Sequence, residues 1–261
     1  HGVAKRLRDS KQGSYKVDKS KSAIEIFNTK AFPENVEFEA LLTFSGEAKG
    51  SMIRSVTPDP DNVSVVQHHS FIKLPDNNYK PRKFDPRSGA ISISFMDYST
   101  PIDEPITKKF IIRHRLEKKN PELEISEAVE PIIYYLDPGT PEPVKSALLD
   151  GARWWNQAYE SIGFKDAFQV KMLPEGADPL DCRYNVIQWV HRSTRGWSYG
   201  ASVVDPRTGE IIKGHVSLGS LRIRQDYMIA QALTNEPFAS ENNNNKMKEL
   251  AVARIRQLLS L

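Results

Sequence analysis

The 261-residue sequence has little of several features that define special classes of protein. A single cysteine, Cys182, excludes an internal disulfide framework and a zinc site built from cysteines. The longest unbroken apolar run is the five residues Ile132–Leu136, whereas a membrane-spanning helix needs about 20. The sequence has no glycine-rich phosphate-binding loop and no two histidines at i, i+4 spacing. We therefore expect no membrane span.

The sequence also lacks a large excess of either positive or negative charge. Lys and Arg total 36 against 33 Asp and Glu, so the formal net charge is +3, and 39% of the residues are hydrophobic. Proteins that bind nucleic acids or membrane surfaces concentrate basic side chains, so the balance argues against both partners. The one local excess is in residues 1–30, with eight basic and three acidic side chains, where we expect a solvated terminus. The chain begins with His1 and shows no signal segment, which suggests a piece of a longer product.

Hydrophobic periodicity divides the chain into two parts and predicts an α+β fold. Period-two alternation over Val36–Phe44, followed by further short apolar runs between Pro-, Asp- and Asn-rich turns, predicts a β-rich domain over residues 1–120. Residues 121–131 are charged and contain two prolines, which favours a linker. Residues 132–261 mix strand and helix patterns and form the second predicted domain.

Two kinds of local signal stand out in the chain. Thr140 is the predicted cap of one long helix that ends at Gly163. Asp85–Gly89 (DPRSG) and Asp205–Gly209 (DPRTG) predict tight turns with glycine at positive φ, the second inside a hairpin. Residues 220–233 and 247–261 have helical patterns. The asparagine-rich segment 234–245 between them is predicted to be a surface loop. The last helix has an uncapped apolar final turn, which suggests that the chain has been cut there.

Few residues suggest chemistry on their own. The segment 196–200 (GWSYG) matches the nucleophile elbow of serine hydrolases, with Asp205 and His215 following in the right order, but Ser198 leads into strand-type sequence where an elbow needs a helix. His191, Asp205 and His215 form a second candidate cluster, for a structural ion, against the simpler interpretation of hydrogen-bonded structural histidines. The four tryptophans fit a core, with a sugar-stacking platform as the alternative.

Long strings of the sequence resemble a known family. Residues 132–164 (IIYYLDPGTPEPVKSALLDGARWWNQAYESIGF) and 184–220 (YNVIQWVHRSTRGWSYGASVVDPRTGEIIKGHVSLGS) resemble large bacterial zinc-dependent metalloproteases related to the metzincins. The upstream strings NVSVVQHHSFIKLP, YKPRKFDPRSG and KKFIIRHRLEKKNP are similar to the β-rich domain of unknown function that precedes the peptidase domain in that family.

The resemblance implies the first part of a metzincin-like peptidase domain, with a mixed sheet and one long packed helix. It implies the order strand, long helix, strand, strand, edge strand, active-site helix, with a peptide or protein substrate paired along the edge strand. By position, that substrate-binding strand would be Gly214, His215, Val216, Ser217, Leu218 and Gly219.

The family's zinc-binding sequence, H-E-x-x-H, occurs nowhere in these 261 residues. In the family it directly follows a segment like 253–261 (ARIRQLLSL), so the expectation is an inactive fragment of a zinc metalloendopeptidase. Zinc is then the cofactor of the parent protein, whereas this chain has no catalytic residue, metal ligand or cofactor of its own. Export to the periplasm or the cell exterior is expected by resemblance. The alternatives are a non-catalytic polysaccharide- or protein-binding module and, third, a serine hydrolase using Ser198.

Overall fold

The computed structural model describes residues 2–192 and 197–233, together with Glu249 and Ala253. The fold is α+β, and strands outweigh helices. Two compact units divide between Lys73 and Leu74.

The first unit is a three-stranded antiparallel sheet with two short helices. Its elements are α1 (Gly2–Asp9), β1 (Gly13–Ala31), β2 (Asn35–Ala48), α2 (Ser51–Val56) and β3 (Asn62–Ile72), with sheet order β1-β2-β3.

The terminus over residues 1–30 is solvated as expected, since all eight basic residues are exposed, but it is also ordered, because α1 and β1 occupy nearly all of it. Val3, Ala4 and Leu7 give α1 an apolar side that packs on the sheet, while its basic residues stay outside. The charges therefore belong to an ordered surface.

The core of the first unit lies on one face of this sheet. Its buried members are contributed by all three strands and α2: Tyr15, Phe44, Ala48, Ile53 and Val63. On the opposite face Glu37 is also buried, and its Oε2 lies 2.7 Å from His68 Nε2. His69, the next residue, stacks on Phe38 instead, with ring centroids 5.0 Å apart. The two adjacent histidines thus face opposite sides of the strand, as the period of two predicts.

The second unit contains most of the secondary structure. A short 3₁₀ turn (Pro86–Ser88) precedes an ordered series of strands and helices: β4 (Ser92–Met96), β5 (Thr107–Ile111), β6 (Ser126–Glu127), β7 (Ile132–Leu136), α3 (Val144–Arg153), α4 (Trp155–Glu160), β8 (Phe164–Lys165), β9 (Phe168–Met172), β10 (Asn185–Val190), β11 (Tyr199–Val204), β12 (Ile211–Gly219) and α5 (Leu221–Leu233).

The segment 121–131, predicted as a linker, lies inside the second unit rather than between units. Its strand β6 pairs in parallel with β8, and Ser126 and Ala128 are buried. The four glutamates of this segment, at positions 122, 124, 127 and 130, are all exposed, so its charged composition reflects a solvated surface. The compact units divide about 50 residues earlier than the predicted domains, so residues 74–120 belong to the second unit.

A five-stranded sheet organises this second unit, with the order β11-β12-β10-β7-β9. Neighbouring strands are parallel from β12 to β9, and β11 alone is antiparallel to its neighbour. Leu136, Val170 and Ile187 project from three of these strands onto α3, where Ala147 and Leu148 complete the core. This packing fixes where each strand ends and therefore where the loops between strands lie.

The long helix predicted over 140–162 is present in two pieces, α3 and α4, which meet at Trp154. Thr140 is not the helix cap, since its hydroxyl donates to the carbonyl of Asp137 at 2.8 Å and the helix begins at Val144. Gly163 ends the second piece with φ +86°, as predicted.

The other predictions for this part of the chain have different outcomes. The hairpin of β11 and β12 and the helix over 220–233 (α5) are confirmed. The predicted loop 234–245 and helix 247–261 lie outside the described residues, apart from Glu249 and Ala253. No helix among the described residues is long and apolar enough to cross a membrane.

Replacing Phe44, the fully buried centre of the first core, with alanine should lower the free energy of unfolding by about 3–5 kcal/mol, because a large cavity remains. Urea unfolding followed by far-UV circular dichroism measures this change. Val36→Ala is the matched control, since Val36 lies on the same strand and is 42% exposed, so its cost should stay near 0.5 kcal/mol. Equal losses in the two variants would contradict the assignment of the core.

Candidate functional site

The segment predicted as the substrate-binding edge strand, 214–219, is not at an edge. It lies in β12, which pairs with β10 on one side and β11 on the other. Residues 215–217 are therefore paired on both sides within the sheet. The prediction is wrong because residues 199–204 fold back as a hairpin strand and take the outer position.

The edge strand next to it is β11. Residues 199–203 are all exposed, with Tyr199 at 47% and Val203 at 37%. Within the described ranges, β11 pairs with β12 alone. Its outer main-chain N–H and C=O groups are thus available to an extended chain, which is the requirement for strand addition.

The turn that joins β11 to β12 is held by a buried carboxylate. Asp205 is fully buried and accepts hydrogen bonds from the backbone N–H of Arg207 at 2.8 Å and from its Nη2 at 2.7 Å. The same guanidinium reaches Asn77 Oδ1 at 3.1 Å and the carbonyl of Pro75 at 3.0 Å. These hydrogen bonds from Arg207 hold the pKa of Asp205 below its usual range. Gly209 closes the turn with φ +82°, as predicted.

A second arginine holds the other end of the strand. Arg192 donates to Ser217 Oγ at 2.9 Å and to the carbonyl of Trp197 at 3.1 Å. Its guanidinium also lies over the ring of Tyr199, 5.7 Å from the centroid. The edge strand is therefore fixed at both ends by arginines, which leaves its outer main chain in a defined, extended conformation.

The nucleophile-elbow interpretation of Ser198 fails. Ser198 Oγ accepts a hydrogen bond from the backbone N–H of Gly219 at 3.1 Å, and the residue leads into a strand. Asp205, the required acid, is committed to its own turn. Gly196, the first glycine of the motif, lies outside the described residues. The described residues thus do not assemble a Ser-His-Asp triad around Ser198.

The proposed ion cluster of His191, Asp205 and His215 does not converge either. His191 Nδ1 lies 2.9 Å from Ser220 Oγ, and Asp205 is paired within the turn described above. His215 is half-buried in β12, where burial and the charge of Lys213 lower its pKa. Within residues 2–192 and 197–233, no three His, Cys, Asp or Glu side chains are placed to hold a metal ion.

A polar pocket that no sequence pattern predicted lies at the amino ends of β7, β10 and β12. Its lining includes His114, Arg115, Arg183 and Asn185, and its volume is about 580 Å³. Arg115 is bound by Glu210 through two hydrogen bonds, of 2.7 and 3.0 Å. Burial lowers the pKa of His114 to about 4, so the imidazole is neutral at neutral pH. No spacing in the sequence links Arg115 to Glu210, because the two residues lie 95 positions apart along the chain.

Comparison with known proteins adds one finding. Residues 1–119 match a family described as "Domain of unknown function (DUF5117)". The match covers the whole first unit and the beginning of the second. No curated protein and no solved structure matches the chain.

Replacing Asp205 with asparagine should lower the free energy of unfolding by about 1–3 kcal/mol at pH 7, because charged hydrogen bonds of a buried group are lost. The folded-state pKa of Asp205 is lowered, so its contribution exists above about pH 4 and disappears as the pH falls through that pKa. Urea unfolding followed by tryptophan fluorescence at pH 7 and pH 3 measures both effects.

The control is Asp85→Asn in the equivalent DPRSG turn. Asp85 also accepts hydrogen bonds from the backbone and side chain of its arginine, Arg87, but the turn is solvent-exposed. We expect a clearly smaller loss of stability there than for the Asp205 variant. Equal effects would mean that burial of Asp205 does not stabilise the hairpin.

Proposed function

We propose that this chain is part of a zinc-dependent metalloendopeptidase related to the metzincins, in which it binds extended peptide substrate along β11. The observation that carries the proposal is the exposed, antiparallel edge strand Tyr199–Val204, whose outer side has no strand partner in the described part of the chain. An extended peptide bound there would extend the sheet by one strand.

The order of elements in the second unit supports the proposal. From β7 the chain runs through the α3–α4 helices, β9 and β10, then forms the edge strand β11 before β12 and α5. The resemblance implies a strand, a long helix, two strands, an edge strand and then a helix. Apart from the two-residue strand β8, which pairs with β6 outside this sheet, the two orders agree up to the edge strand, and β12 is the one additional strand before a helix begins.

The side chains of β11 also suit recognition through the main chain. Gly200, Ala201 and Ser202 at its centre are small and exposed, so they leave the backbone accessible. Recognition of this kind depends on an extended substrate backbone more than on particular substrate side chains. The proposed substrate class is therefore an unfolded or extended segment of protein.

The described residues of this chain do not fit a catalytic zinc. The described part contains no suitable group of ligands, and the sequence has no H-E-x-x-H. In our proposal the metal ligands and the general base belong to a part of the parent protein outside these 261 residues. Export of the parent stays a prediction from the resemblance.

The first test compares this 261-residue chain with a longer product of the same gene that includes an H-E-x-x-H segment. We expect the longer protein to bind about one zinc per chain and to cleave casein, with cleavage abolished by 1,10-phenanthroline. The 261-residue chain should bind less than a tenth of a zinc ion by elemental analysis (roughly, as for any chain without ligands) and cleave nothing. A longer protein that binds no zinc but retains a saturable protein or polysaccharide ligand would replace the proposal with the non-catalytic alternative.

The second test uses proline at adjacent positions of β11 in the longer protein. Neighbouring strand residues direct their N–H groups to opposite edges, so of Ala201→Pro and Ser202→Pro one removes an outward donor. That variant should keep its zinc content and thermal stability while the KM for casein rises about fivefold to tenfold, as expected for one lost hydrogen bond. The other variant, which loses an N–H directed at β12, should be destabilised. If neither variant raises KM, β11 does not bind the substrate.

A further inference from the structure

A cavity of about 510 Å³ lies on the face of the five-stranded sheet opposite α3. Leu136 and Ile187 pack against α3 on the other face. Because side chains alternate along a strand, Tyr135, Val186 and Gln188 project away from α3. All three residues line the cavity, and they form its floor.

The connection between β9 and β10 covers this floor. These strands lie on either side of β7 and parallel to it, so the chain must cross β7 to join them. Most of residues 173–179, in this connection, line the cavity. The buried ammonium of Lys213 fastens the connection, since it donates to the carbonyl of Pro179 and, at 2.8 Å, to that of Asp181. The cavity is therefore already formed before a ligand binds.

The position of the cavity in the sheet also favours a ligand site. Asp137 and Pro138 directly follow β7, Leu173 and Pro174 directly follow β9, and all four residues line the cavity. Ligands of open sheets with parallel strands bind beyond the carboxyl ends of those strands. The volume of the cavity also lies within the range of small-molecule sites.

The lining is mainly apolar, and its charge is negative. Among the described residues that line the cavity none is Lys, Arg or His, whereas Asp137 and Glu175 are acidic. Asp137 is used within the fold, because its carboxylate accepts from the backbone N–H groups of Gly139 at 2.8 Å and Trp189 at 3.1 Å. Glu175 is exposed and has no ion pair within the described ranges, and the amide of Gln188 has no hydrogen-bond partner there. One carboxylate and one amide thus remain available to a ligand.

We propose that this cavity binds a small arylalkylamine, in which a short chain joins an ammonium group to an aromatic ring. A planar ring fits between the ring of Tyr135 and the flat rings of the prolines, where it buries apolar surface. An alkyl ammonium keeps its charge at pH 7, as lysine does, and pairs with the carboxylate of Glu175. The acidic lining would repel a carboxylate or phosphate ligand. The cavity lies on β7 and β10, which β12 separates from β11, so the proposal does not rest on peptide binding there.

The test titrates phenethylamine into the nitrogen-15-labelled 261-residue chain at pH 7 and follows backbone amide shifts by NMR. We expect saturable shifts at Glu175, Gly176, Ala177 and Gln188, with a Kd of about 1 mM or below, as suits so small a ligand. 2-Phenylethanol has the same ring without the charge and should bind about threefold to fivefold more weakly. The anion 3-phenylpropionate should bind more weakly still.

Two variants separate the effect of charge from the effect of shape. Glu175→Gln should bring the affinity for phenethylamine to within about twofold of that for 2-phenylethanol, because the ion pair is lost. Ala177→Phe should weaken both ligands by at least about tenfold, because the new ring occupies their space. The matched control is Glu122→Gln, which removes another exposed glutamate without an ion pair among the described residues and should change the affinity less than about twofold.

Circular dichroism establishes that each variant is folded. Glu175 is exposed, so Glu175→Gln tests the proposal even if Ala177→Phe does not fold. The proposal is overturned by shifts that do not saturate or lie away from the cavity, by equal affinities for phenethylamine and 3-phenylpropionate, or by equal losses in Glu175→Gln and Glu122→Gln.

Discussion

The parallel pairing of β7 with β9 and β10 is the constraint on which the second unit depends. Parallel strands cannot be joined by a tight turn, so the chain must cross over the sheet between β7 and β9. The crossover is the α3–α4 segment, whose Ala147 and Leu148 cover Leu136 and Ile187 on the strands. The same helix therefore makes the connection and supplies the core. The hairpin of β11 and β12 then reverses the chain direction, and this reversal places an antiparallel strand at the edge of the sheet.

The edge strand depends in turn on arginine side chains, of which Arg207 joins the carboxylate of its own turn to a distant segment of the chain. The turns DPRSG and DPRTG share a local structure, in which the aspartate accepts hydrogen bonds from the backbone and side chain of the arginine two residues later. Only the second turn is buried, and only there does the arginine also reach another segment, at Pro75 and Asn77. Burial thus converts a common local turn into a tertiary contact, because removing the carboxylate from water makes its partners necessary.

Sequence patterns predicted those elements whose signals are local. The period-two strands, the hairpin around Asp205–Gly209 and the positive φ of Gly89 and Gly209 follow from a few adjacent residues. The order of strands in a sheet is not a local signal. Periodicity predicts that residues 214–219 form a strand, but it does not predict which strands lie beside it. The charged composition of residues 121–131 likewise did not indicate that Ser126 is buried. In residues 1–30, α1 has only eight residues, too few for its apolar side to be distinguished from scattered charge.

The candidate site could not be predicted from side-chain motifs for a related reason. Side-chain motifs suggested sites at Ser198, His191 and His215. In the structure the first two residues have ordinary hydrogen-bond partners, and the third lies within the sheet. A strand that recognises peptides through its main chain needs no particular side chains, so it leaves no motif in a single sequence. The property that points to a ligand at β11 is its outer row of main-chain groups, which have no strand partner among the described residues. Groups already satisfied within the fold, such as Asp205, contribute to stability instead.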